Sequence, residues 1–220
     1  EDAKRARPSS CASMSEAAPP GPPEPEPSVQ NCVFSIKSFG KKNLTHLGWS
    51  KTVCPTSNGE LRGIVGSHDA LLLDAGGDWH LFKDGHSSSH TGQNIEALET
   101  LINKEVQKAK LSELLLGFAC QFINARERDP TRKIFTVAVF CSWGKHRSVA
   151  VSEALAGALR ELGAWAEHEP LCQVSWKKGG CGRGGPCLGC SLDAHTARRK
   201  AVAENASTVL QKALRTAPEL

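Results

Sequence analysis

The residues best equipped for chemistry lie in one run, Cys141-Ser142-Trp143-Gly144-Lys145-His146-Arg147-Ser148. Gly144 allows the backbone to approach a ligand closely. Lys145, His146 and Arg147 supply donors, and the Arg147 guanidinium can grip an oxyanion with two parallel bonds. Ser142 and Ser148 add hydroxyls. The apolar stretch Ile134-Phe135-Thr136-Val137-Ala138-Val139-Phe140 precedes the run, and Val151, Leu155, Leu159 and Leu162 follow at helical spacing, with Gly163 as a stop. The expected unit is strand, loop, helix. The first N–H groups of a helix lack intrahelical acceptors, and the helix dipole adds positive potential there. Such a junction binds phosphate-like anions, with Ser148 either capping the helix or bonding the anion. The plainer alternative is an ordinary connection with exposed basic residues.

A catalytic variant of this reading also exists. Cys141 and Arg147 stand at the Cys-x5-Arg spacing of cysteine-dependent phosphatases, in which a thiolate at the base of a phosphate cradle is the nucleophile. Phe140, however, occupies the place where tyrosine phosphatases carry His. No Trp-Pro-Asp-like acid loop is present; Asp78 and Asp84 are the available substitutes. A non-catalytic anion site is therefore the leading expectation, and phosphatase chemistry through Cys141 and Arg147 the alternative.

Four of the nine cysteines crowd into one Gly-rich stretch: Cys172, Cys181, Cys187 and Cys190. Three thiolates spaced Cys-x5-Cys-x2-Cys suit a tetrahedral, structural zinc site, with Cys172 as the fourth ligand or His168 or His195 in its place. Free thiols and a disulfide pair are the other options, disulfides being least expected without a secretory signal. His80, His86 and His90 share no helical face and are expected to be solvated or satisfied loop histidines. A zinc-stabilised scaffold that recruits a protein partner through the C-terminal region is a third functional class.

The remaining chain must position these groups. Residues 1–30 hold seven of the twelve prolines and read as a disordered, partly extended arm. Cys32–Ile36 reads as a strand, Ser38–Gly40 as a turn, and residues 41–68 as a long loop. Ala70–Asp74 has the pattern of a strand buried on both faces. From Asn94 the period is helical, with Ile95, Leu98, Ile102 and Val106 followed by Leu111, Leu115, Phe118 and Phe122. This is one long helix or two shorter ones, ending before Pro130. A strand is expected within residues 164–176 and a last helix over 194–216. Alternation of strand and helix predicts an α/β domain with a small, mostly parallel sheet and flanking helices over residues 31–176. A Cys/Gly-rich loop (177–192) and a basic C-terminal helix (193–220) follow.

The net charge is +4, and residues 176–220 carry 8 basic against 3 acidic residues. Lys177 and Lys178 beside Trp176, and Arg198, Arg199 and Lys200 at the start of the last helix, are candidate RNA contacts, together with Lys42, Lys145 and Arg147. No apolar run approaches 18 residues, so no spanning helix and no membrane partner is expected. The expected compartment is intracellular, most simply cytoplasmic, although a targeting signal could precede a chain that starts at Glu1.

The segment Thr136–Val149 resembles the C-terminal domain of the RapZ RNase-adapter family, most specifically through Gly144-Lys145-His146-Arg147-Ser148-Val149. Ile36-Lys37-Ser38-Phe39-Gly40 with Lys42-Asn43, then Asp69–Asp74, then Thr91-Gly92 resemble further pieces of that domain in the same order, so the resemblance spans about residues 32–170. It implies a domain that binds RNA and senses an amino-sugar phosphate, with Asp74 and Gly144–Ser148 at the site. In that family a P-loop nucleotide-binding domain precedes this one. No Gly-x4-Gly-Lys-[Ser/Thr] occurs here, so nucleotide binding is not expected. Trp143, Gly76 and Phe140 depart from the family pattern, and the family lacks the cysteine-rich stretch.

Overall fold

The computed structural model describes residues 28–48, 54–82, 90–173, 181 and 187–217. In chain order the elements are β1 (Val33–Gly40), α1 (Asn58–Ile64), β2 (Leu71–Asp74), α2 (Ile95–Asn103), α3 (Glu105–Arg128), β3 (Ile134–Cys141), α4 (Arg147–Glu161), β4 (Trp165–Pro170) and α5 (Thr196–Thr216). The four strands form one sheet in the order β2-β3-β1-β4, and every pair is parallel. The α/β class expected from the alternation is the one observed.

Side chains alternate across a strand, so each strand serves two cores. Phe34, Ile36, Leu73, Phe135, Val137 and Val139 pack under α2–α5 in the larger core. There Phe34 meets Phe118, Phe122 and Phe135 with ring centroids 5.3–5.8 Å apart. Phe39, Ala138 and Phe140 face the other way, against Leu44, Leu61 and Val65. α5 is part of the larger core through Val202, Ala206, Leu210 and Leu214. No described helix is long and apolar enough to cross a membrane.

Several expectations change. β1 does not turn at Ser38 but runs on to Gly40, in register with Cys141. The stretch read as loop contains α1, whose start is fixed by a capping box: the Ser57 hydroxyl accepts from Glu60 N–H and the Glu60 carboxylate accepts from Ser57 N–H. β2 is an edge strand, and Leu72 is only half-buried. Its outer edge is satisfied by one amide side chain: Gln121 accepts from Leu72 N–H at 2.8 Å and donates to Leu72 C=O at 2.9 Å. The helical stretch from Asn94 is two helices, broken where Lys104 takes an extended conformation (ψ 122°). Val106 is exposed, because it falls on neither helix's buried face. β4 ends at Pro170. Residues 1–27, which carry most of the Pro-rich arm, and Trp176, Lys177 and Lys178 lie outside the described residues.

Candidate functional site

All four strands point their carboxyl ends the same way, and β3 delivers Cys141 to that edge. Crevices at this edge are where open parallel sheets bind ligands. The chain leaving β1 continues alongside the loop after β3: Lys41 N–H donates to Cys141 C=O and Lys42 N–H to Ser142 C=O, both at 2.9 Å. Two glycines make this approach possible. A Cβ on Gly40 would lie 2.0 Å from the Trp143 carbonyl carbon, and Gly144, at φ +69°, would place one 2.2 Å from Gly40 N.

This edge opens into a cleft of about 800 Å³ lined by Lys41, Lys42, Arg62, Asp74, Phe140 and Ser142, among others. The Lys41 ammonium sits 3.6 Å from the Asp74 carboxylate. Lys42 lies over the ring of Trp143, 5.7 Å from its centroid, and that ring is exposed. Arg62 donates through Nε to Ala70 C=O. Three cations and one carboxylate thus share the lining. Of the residues expected from the sequence, Lys42, Asp74 and Ser142 line this cleft. Lys41 and Arg62 were not expected, because neither belongs to a motif and only folding brings α1 over the edge.

The rest of the expected cradle does not line this cleft. Ser148 is fully buried, and its hydroxyl lies 3.3 Å from Cys141 Sγ rather than capping α4. Gly144 N–H donates to the same sulfur at 3.2 Å. The Arg147 guanidinium donates to Gly77 C=O. His146 donates through Nε2 to His90 C=O at 2.9 Å, and Gly92 N–H donates to Lys145 C=O at 2.8 Å. Lys145 is half-buried; burial pulls its ammonium below the usual lysine value, against the opposing pull of Cys181 and Cys190. α4 begins without a side-chain cap. The loop 142–146 therefore runs from the cleft at one end to the His90–Gly92 segment at the other.

Beside that second end, His90, Cys181, Cys187 and Cys190 bring one nitrogen and three sulfurs within 4.8 Å of one another, a group that could hold a metal ion. His90 Nδ1 is 3.5 Å from Cys187 Sγ and 3.8 Å from Cys190 Sγ. A tetrahedral ion with bonds of ~2.1 Å to nitrogen and ~2.3 Å to sulfur sets such an edge at about 3.6 Å. Cys172 is not in this group. It is buried under the other face of the sheet, accepting from Gly40 N–H at 3.3 Å and donating to Asn43 C=O at 3.2 Å, and burial pushes its thiol pKa up. Local spacing, which puts His90 on no helical face, predicts a loop histidine and does not reveal sulfur neighbours that lie far downstream. The eight cysteines among the described residues are free thiols.

The other ligand candidates are committed elsewhere. His168 joins a buried polar chain: Ser38 Oγ lies 2.8 Å from its Nε2, Glu153 lies 2.9 Å from its Nδ1, and Gln93 donates to the same carboxylate at 3.0 Å. His195 is the left-handed residue that begins α5, at φ 58°. Arg198 is held by both carboxylate oxygens of Glu99 at 2.5 and 2.6 Å, and Arg199 by the carbonyls of Gln93, Ser191 and Ala194. Lys200 faces Glu204 at 3.8 Å. Arg198 and Arg199 thus each have internal partners, while the Lys200 and Arg198 side chains stay exposed.

A family model for the RapZ C-terminal domain matches residues 82–170. The chain is also 40% identical over 88 residues to a nucleotide-binding protein of Salinispora tropica, across 37% of this chain and 27% of the relative. It thus spans about a quarter of that relative's length. The matched region holds the loop after β3, α4 and His90, whereas Lys41, Lys42, Arg62 and Asp74 of the cleft lie outside it. Residues 82–170 of this chain are thus similar to the RapZ C-terminal domain.

Proposed function

We propose that the carboxyl edge of the sheet binds the phosphate group of a small phosphorylated ligand, without catalysis. One observation carries this reading: Lys41, Lys42, Arg62 and Ser142 line one cleft at the strand ends. Cations around a concave site favour an anion, and a cleft of about 800 Å³ is in the small-molecule range. A sugar phosphate is the ligand that the likeness to the RapZ C-terminal domain suggests. RNA is the second source of the same group, and the engagement of Arg198 and Arg199 makes it the weaker candidate. The nucleotide in the relative's name is a further phosphate source to be included in any screen.

The reading is tested by titrating the full chain with glucosamine 6-phosphate, ATP and a short oligoribonucleotide in a calorimeter. The sugar phosphate is expected to bind, and Lys42→Ala with Ser142→Ala to weaken it at least tenfold while the melting temperature stays within a few degrees. Binding unaffected by the double substitution would refute the cleft as the site.

We also infer that His90, Cys181, Cys187 and Cys190 take a zinc ion, because a His/Cys3 donor set matches structural zinc in chemistry and spacing. A phosphatase reading keeps one supporting observation, the Ser148 hydroxyl and Gly144 N–H gathered on Cys141 Sγ. The sulfur itself is buried. Turnover of p-nitrophenyl phosphate abolished by Cys141→Ser would favour that reading; no turnover between pH 5 and 8 would remove it.

A further inference from the structure

We propose that the His90/Cys181/Cys187/Cys190 centre is the fastening that assembles the anion site, so that phosphate affinity depends on a metal that never touches the phosphate. The inference rests on the cleft reading and names the cofactor that reading requires.

The loop 142–146 is anchored at both ends. At the cleft end it is gripped by β1 and its extension, through Gly40 and the N–H groups of Lys41 and Lys42. At the other end residues 90–92 and Phe82 hold it. His90 C=O accepts from the His146 ring, Gly92 N–H donates to Lys145 C=O, and Gly92 packs so tightly on the start of α4 that a Cβ there would lie 2.0 Å from His146 O and 2.5 Å from Ala150 N. Phe82 stacks on the His90 ring and meets the His146 ring edge-on.

Residues 90–92 lie outside every helix and strand, so something must fix them. The cysteine segment does so from the far side. Gly189 C=O accepts from Ile95 N–H at 2.8 Å, Asn94 Nδ2 donates to Cys190 Sγ at 3.6 Å, and Arg199 ties Gln93 C=O to Ser191 C=O. A metal bound by His90 and the three sulfurs would join these two strips of chain with four strong bonds. Among the described residues, the polar contacts that join them without it are the Asn94–Cys190 contact, the Ile95–Gly189 backbone bond and the Arg199 bridge. Thiolate and imidazole donors select zinc among abundant divalent ions. Binding requires deprotonated thiols and couples to the folding of this corner.

The test uses the full chain purified with its metal. Elemental analysis is expected to give one zinc per chain, and cobalt substitution to give the intense visible bands of a tetrahedral thiolate site. Glucosamine 6-phosphate affinity, measured by calorimetry, is expected to fall at least tenfold after chelator treatment or Cys187→Ser and to return to the chelated wild type with added zinc. Circular dichroism reports whether the helices survive. A second variant avoids the metal altogether: Gly92→Ala is expected to keep zinc at one per chain and still lose affinity, because its methyl displaces His146. Absence of stoichiometric zinc overturns the centre. Zinc present with equal affinity in the apo and holo protein overturns the coupling while the cleft reading survives. Zinc present with no phosphate binding in either form overturns both coupling and cleft.

Discussion

At the residue scale, the site depends on side chains that are absent as much as on those present. Gly40 and Gly144 let two loops pass at backbone contact, and no other residue fits. Gly40→Ala is expected to lower stability by about 2–4 kcal/mol, from the overpacking of a methyl 2.0 Å from the Trp143 carbonyl carbon, and urea denaturation measures it. Glu153 shows how charge is placed. Burial raises its pKa, but the hydrogen bond and charge of His168, the Gln93 amide and Arg199 outweigh burial, so the carboxyl sits below its ordinary 4.5. A depressed folded value means that the stability supplied by ionised Glu153 is fully present above about pH 4.5 and is lost as pH falls through the lower folded value. Glu153→Gln should therefore destabilise the protein at neutral pH and flatten the acid limb of its stability profile. A mutant whose profile keeps the parent's slope below pH 4.5 would contradict this.

At the element scale, much of the fold could be read because hydrophobic periodicity reports burial directly. The run Ile134–Phe140 is β3, the central strand, and Leu111, Leu115, Phe118 and Phe122 are the buried face of α3. What was missed is governed by other forces. The extension of β1 through Ser38 looks polar locally; its partner His168, and the Glu153 that holds His168, are over a hundred residues away. α1 is short and was hidden in a Gly/Ser-rich stretch, although Ser57-Asn58-Gly59-Glu60 is a readable capping box. Ser57→Ala is expected to cost about 1 kcal/mol and to loosen α1 over the cleft. Gln121→Ala leaves Leu72 N–H and C=O without their partner and is expected to cost about 1–3 kcal/mol. Hydrogen exchange in β2 would show whether that strand, rather than the whole sheet, is what frays.

At the scale of the whole molecule, parallel strands collect the ends of β1, β2 and β3 at one edge, and the cleft lies there between the chain after β1, the end of β2 and α1. The sequence motif at 141–148 marks the edge correctly, yet most of its polar groups turn inward to hold the loop. The cations facing the cleft come from the chain after β1 and from α1. No local pattern announces such a juxtaposition, and the pairing of His90 with three distant cysteines was hidden for the same reason.

The most direct test of the cleft is to follow backbone amide signals by NMR while inorganic phosphate is added to the zinc-loaded chain. The account predicts saturable shifts concentrated at Lys41, Lys42, Arg62 and residues 142–147. Shifts centred instead on residues 196–200, with the strand ends unmoved, would contradict it.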